Sequence, residues 1–140
     1  MLLDLTNLEK SLDALAAVLR IVDAPDRMQS LPQDVQEAVQ AAVVQDFEVA
    51  YEQCWKSMKR WLEIHVAPDA ADGVTRRELF RRAAEQQLIV DVDQWMEFHK
   101  ARNTTAHTYD QSTATAVAQA ARKFLPLAHT LAAALATRND

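Results

Sequence analysis

Nine consecutive residues, RNTTAHTYD at 102–110, bring together an arginine, an amide, an imidazole, a phenol and a carboxylate. A histidine with a pKa of about 6.5 exchanges a proton around neutral pH, as general base or general acid. An arginine binds a phosphate and stabilises the charge that grows on it in a transition state. Arg102 and His107, with Asn103 to orient the imidazole or the phosphate, suit attack of a ribose 2′-hydroxyl on its neighbouring phosphate. This chemistry works without a metal, and DNA lacks the internal nucleophile.

On a helix advancing about 100° per residue, Asn103 and His107 share a face, and Arg102 and Tyr109 share an adjacent stripe. Arg102 and His107 diverge by about 140° if the helix is regular. One straight helix therefore cannot close both onto a single phosphate. Either the helix loosens near Thr104–Thr108, where Asn and Thr compete for backbone hydrogen bonds, or two copies meet across a dimer axis and both supply Arg and His. The same residue types also serve as helix caps and snorkelling side chains. Spacing alone leaves a plain polar helix terminus open.

The elements that must position this segment are helical. The 140 residues contain one glycine and four prolines, 49% are hydrophobic and 25% are charged. So few turn residues disfavour a sheet, and the length suits a single domain, 1–140, with one core. Leu5, Leu8, Leu12, Leu15, Leu19 and Val22 form the apolar seam of a first helix. DAPDRMQSLPQD breaks it, and a second helix runs from about 32 to 65 with Val39, Val43, Phe47, Tyr51, Cys54, Trp55, Met58 and Leu62 inward. Glu52 and Lys56 form an i, i+4 pair on its flank. Thr75 and Glu78 have capping-box spacing for a third helix at about 75–88. Asp91 or Asp93 caps a fourth, with Trp95 and Phe98 inward, and a fifth starts near Asp110–Thr113. Val117, Ala121, Phe124, Ala128, Leu131 and Leu135 are its seam, and Pro126 should kink it. The expectation is an all-α, five-helix, mostly antiparallel bundle.

Other features narrow the function. Cys54 is the single cysteine, which excludes an internal disulfide and a multi-cysteine metal site. His99 and His107 lie about 12 Å apart along a helix axis, too far to chelate one ion, so no metal is expected. Trp55 and Trp95 read as core, and Trp61 as the tryptophan open to solvent. The net charge of −5 argues against a general nucleic-acid coat, but TRRELFRR, with Arg76, Arg77, Arg81 and Arg82, is a local patch suited to RNA or an acidic partner surface. The N-terminus lacks the pattern of a signal peptide, and no apolar run is long enough to span a bilayer, so a cytoplasmic protein with no membrane partner is expected. There is no glycine-rich loop to cradle a nucleotide, and no cofactor is expected.

Two segments carry a family resemblance. DFEVAYEQCWKSMKRWLE (46–63) and TRRELFRRAAEQQLIVDVDQWMEFHKARNTTAHTYD (75–110) resemble the two signatures of the nucleotidyltransferase substrate-binding proteins, within the wider HEPN superfamily. That superfamily is marked by Arg, four to six residues, then His. Here the motif is Arg102, Asn103 and His107, and Tyr109 completes the form seen in HepT-like toxins. The resemblance covers most of the chain from about residue 40 onward. It implies a HEPN-like helical bundle that forms a homodimer and pairs with a minimal nucleotidyltransferase (MNT). In the toxin branch it implies a metal-independent endoribonuclease, with Arg102 stabilising phosphate, Asn103 assisting and His107 handling protons. There the MNT antitoxin transfers AMP to the tyrosine of the motif, here Tyr109. A second branch of expectation is a non-catalytic subunit that presents substrate to the nucleotidyltransferase.

Overall fold

Leucines spaced three or four apart bury one face of α1 (Thr6–Val22), where Leu8, Leu12, Leu15 and Leu19 are all inside. In this computed structural model the described residues are 2–105 and 110–140. They form six helices and no strand: α1, α2 (Pro25–Gln29), α3 (Gln33–His65), α4 (Arg76–Glu85), α5 (Val92–Thr104) and α6 (Gln111–Thr137). The five-helix expectation is therefore corrected to six among the described residues. The extra element lies in the proline-containing break. Pro25 occupies the first helical position, where its fixed φ favours a turn and its missing N–H costs nothing. The resulting five-residue helix buries no side chain.

At about 1.5 Å per residue, the 33-residue α3 is about 50 Å long. Helices α1, α4, α5 and α6 all pack against it. Its inner stripe includes Phe47, Tyr51, Cys54, Met58 and Leu62, and it also takes in Trp61. Here the tryptophan assignment is reversed. Trp61 follows Cys54 by seven positions and Met58 by three, so it falls on their stripe and is 3% exposed. Its indole N–H donates to the carbonyl of Arg138 at 3.2 Å, and the Arg138 guanidinium covers the ring. Trp55 lies at the stripe's edge and is half-buried.

Phe124 of α6 centres the aromatic core, with ring centroids 5.3 Å from Phe47, 5.8 Å from Trp95 and 5.2 Å from Phe98, all edge-on. Such pairs contribute about 0.5–1.5 kcal/mol beyond the area they bury. They fix α5 against α3 and α6, and hence the register of the residues leading into the motif.

The helix ends follow local chemistry. Thr75 accepts from the backbone N–H of Glu78 at 3.2 Å, Asp91 from Gln94 at 3.0 Å and Asp110 from Thr113 at 2.7 Å. The Glu78 carboxylate pairs with Arg81 and Arg82 of its own helix, at 3.6 and 3.5 Å. Helix α4 stops at Glu85, short of the expected 88, because Gln87 takes φ +62°. The N–H of Gln87 donates to Ala84 and that of Leu88 to Ala83, each at 2.9 Å, which is a Schellman stop. Helix α6 continues through Pro126, which faces solvent. The chain ends are tied together by Leu3 and Asn139, through hydrogen bonds of 2.7 and 2.8 Å.

Candidate functional site

Arg102 lies in the last turn of α5, one position before Asn103. The α5–α3 packing turns its guanidinium toward two carboxylates one helical turn apart on α3. Its Nη1 is 3.6 Å from Glu48 and its Nε is 3.7 Å from Glu52. Nη1 also donates to the Thr105 hydroxyl at 3.3 Å. The Nε is buried and makes no hydrogen bond, since 3.7 Å is ion-pair range only. Arg102 is thus anchored by charge while one buried donor stays unused.

Glu52 is the hub of the cluster. Besides Arg102, it accepts from the Trp55 indole at 3.1 Å and pairs with Lys56 at 3.8 Å. From α4, the Arg76 guanidinium lies over the Trp55 ring, 3.4 Å from its centroid, with its own Nε buried and unpartnered. Burial lowers the pKa of Arg76, and the nearby Tyr51 and Glu52 oppose that shift.

His99 stands one turn before Asn103 on α5. Its Nδ1 is 2.7 Å from the Tyr51 hydroxyl, and its Nε2 is 3.4 Å from the Asn103 amide nitrogen. Burial is the main cause that holds His99 below the ordinary histidine pKa. Arg76 and Arg102 add to it and Glu52 opposes. Burial likewise raises the Tyr51 phenol above its usual range, so Tyr51 keeps its proton at neutral pH. The arrangement joins two guanidiniums, a neutral imidazole and an amide, backed by two carboxylates. Such a set can hold a phosphate and accept a proton beside it.

The residues singled out in the sequence divide accordingly. Arg102 and Asn103 lie in this cluster, while His107 and Tyr109 lie outside the described residues. Arg76 joins it from the basic patch. Arg77 pairs instead with Asp93 at 3.0 Å, Arg81 with Glu78, and Arg82 with Glu78 and the Ala70 carbonyl. Sequence reasoning placed Tyr51 in the core and Glu52 in a surface pair, and overlooked Glu48. The signal was present: 48, 51, 52 and 55 share one α3 face at spacings of three and four. Among the described residues, no three His, Cys, Asp or Glu side chains group to hold a metal ion. No helix among them is long and apolar enough to cross a membrane.

Comparison with known proteins places the fold. Residues 3–137 match the family described as nucleotidyltransferase substrate binding protein like. A probable ribonuclease HepT of Haemophilus influenzae is 37% identical over 87 residues, which are 61% of this chain and 60% of that protein. The match thus spans about three-fifths of that relative's length. A solved structure from Haemophilus influenzae, described as the fold of a substrate binding domain of a nucleotidyltransferase, superposes with a TM-score of 0.89 at 29% identity. It covers 94% of this chain and 98% of its own. With nearly its whole length matched and its fold shared, the chain belongs to the nucleotidyltransferase substrate binding protein-like family.

Proposed function

We propose that this protein is a HEPN-type toxin, a metal-independent endoribonuclease that acts as a homodimer and is neutralised by a minimal nucleotidyltransferase. The observation that carries the reading is Arg102. It is anchored by Glu48 and Glu52 while its side chain stays 27% exposed, at the position where the Arg-Asn-x3-His motif begins. The similarity to a probable ribonuclease HepT supports the same reading. In it, Arg102 binds the scissile phosphate, Asn103 assists and His107 handles protons. Tyr109 is the acceptor of AMP from the partner enzyme.

Purified protein should cut RNA in EDTA and leave 2′,3′-cyclic phosphate ends. His107→Ala should abolish the cutting, and unchanged cleavage by that variant would sink the mechanism. When the partner is co-expressed, mass spectrometry should find AMP on Tyr109. An inhibited but unmodified complex would replace modification with neutralisation by contact.

The second reading, a non-catalytic subunit presenting substrate to a nucleotidyltransferase, is favoured by the structural neighbour's description as a substrate binding domain. Growth arrest by the free protein, relieved by Arg102→Ala, decides for the nuclease.

A further inference from the structure

Tyr51 is 1% exposed, and its hydroxyl meets Nδ1 of His99 at 2.7 Å. A buried hydroxyl without a partner is costly, so this bond satisfies Tyr51. It also fixes the His99 ring: Nδ1 carries the proton of the neutral ring and donates it to the Tyr51 oxygen, which leaves Nε2 as the accepting edge. That edge faces Asn103, whose side chain is exposed. The groups around the ring are Tyr51 and Glu52 from α3, Arg76 from α4, and Arg102 and Asn103 from α5. The two guanidiniums disfavour a charged imidazole, and each can hold a phosphate. A neutral imidazole with Nδ1 held by Tyr51 and Nε2 turned to the exposed Asn103, near two guanidiniums, has what a base for ribose activation requires.

We propose that His99, oriented by Tyr51, is the proton acceptor of the Arg102 site, an assignment that rests on the RNA-cleaving reading above. The 2′-hydroxyl proton of a bound ribonucleotide passes to Nε2 of His99 as the 2′-oxygen bonds to phosphorus. The bond from phosphorus to the 5′-oxygen breaks, and the departing oxygen takes a proton from water. The products are a 2′,3′-cyclic phosphate and a 5′-hydroxyl. His99 then releases its proton to water.

The test is single-turnover cleavage of a short RNA across a pH series by wild type, His99→Gln and Tyr51→Phe, with folding monitored by circular dichroism. Binding is measured in parallel with the same RNA carrying 2′-deoxy sugars. The glutamine amide N–H can still donate to the Tyr51 oxygen, as Nδ1–H does, so His99→Gln preserves the structural bond while removing the base. Wild type should show an acid limb, with the rate rising as His99 loses its proton. His99→Gln should lower the rate by about 100-fold or more and erase that limb, with affinity for the deoxy RNA unchanged. Tyr51→Phe should retain the limb but displace its midpoint, because Nδ1 loses its partner. If His99→Gln fails to fold, an undisplaced limb in Tyr51→Phe overturns the proposal. A wild-type rate and limb in a folded His99→Gln overturn it while leaving the nuclease reading intact. Wild-type protein that leaves RNA uncut overturns both.

Discussion

The Arg102 guanidinium reaches from α5 to within 3.6 Å of the Glu48 carboxylate on α3, and its Nε stands 3.7 Å from Glu52. A planar fork can serve two carboxylates, the Thr105 hydroxyl and a phosphate with different donors, whereas a lysine offers one compact charge. Arg102→Lys is therefore expected to lower RNA cleavage by about 10²–10³-fold, the usual cost of losing one oriented transition-state donor. Single-turnover rates at saturating RNA check this. A near-wild-type rate would mean that charge alone suffices.

Arg76 and Arg81 make a contrasting pair. Arg76 lies over Trp55 inside the Arg102 cluster, whereas Arg81 is 60% exposed and paired with Glu78 on its own helix. If Arg76 touches a backbone phosphate, Arg76→Ala should weaken RNA binding and reduce the slope of log affinity against log salt by about 0.7, the value for one single-strand contact. Arg81→Ala should leave the slope unchanged. Binding titrations over a salt series decide it, and equal slopes for the two variants would return Arg76 to a purely packing role.

His99 also gives stability a pH dependence. Its folded pKa is held below the unfolded value of about 6.5. Below about 6.5 the unfolded chain therefore binds more protons than the folded one. The His99 contribution to stability is complete above about pH 6.5 and is lost as pH falls through the folded pKa. Urea unfolding of wild type and His99→Gln should show a stability difference that shrinks toward acid. A difference independent of pH would contradict the sign argued here.

Periodicity made most of the fold legible. The seam of α6 is buried as expected, and that of α1 up to Val22, which is only partly buried, because an amphipathic stripe depends only on the 3.6-residue repeat. Thr75 was legible as a cap, and Asp91 as one of two candidates, because capping is local. The candidate site was legible along α5, where Arg102 and Asn103 stand in a motif, and in part at Arg76 of the basic patch. Glu48, Tyr51 and Arg76 reach it from two other helices. Their meeting depends on how α3, α4 and α5 pack, which no single-helix pattern encodes. Trp61 shows the finer limit: one step of about 100° at the edge of a stripe separates core from surface.

The stop of α4 was missed for a related reason, and it yields a further prediction. A Schellman stop needs a left-handed residue after the helix, and glycine is its usual marker. Here Gln87 occupies that position at φ +62°, where a side-chain-bearing residue is strained by about 1–2 kcal/mol relative to glycine. Gln87 is exposed, so its side chain contributes little packing to offset the strain. Gln87→Gly relieves it, but glycine also loses more backbone freedom on folding, by about 0.5–1 kcal/mol. The net expectation is stabilisation by roughly 0.5–1 kcal/mol, with the slope of the urea transition unchanged. Leu88, buried beyond the stop, should keep its place, because the hydrogen bonds to Ala83 and Ala84 come from backbone N–H groups that glycine retains. A Gln87→Gly variant less stable than wild type would show that the glutamine side chain holds this turn by a contact stronger than the strain it carries.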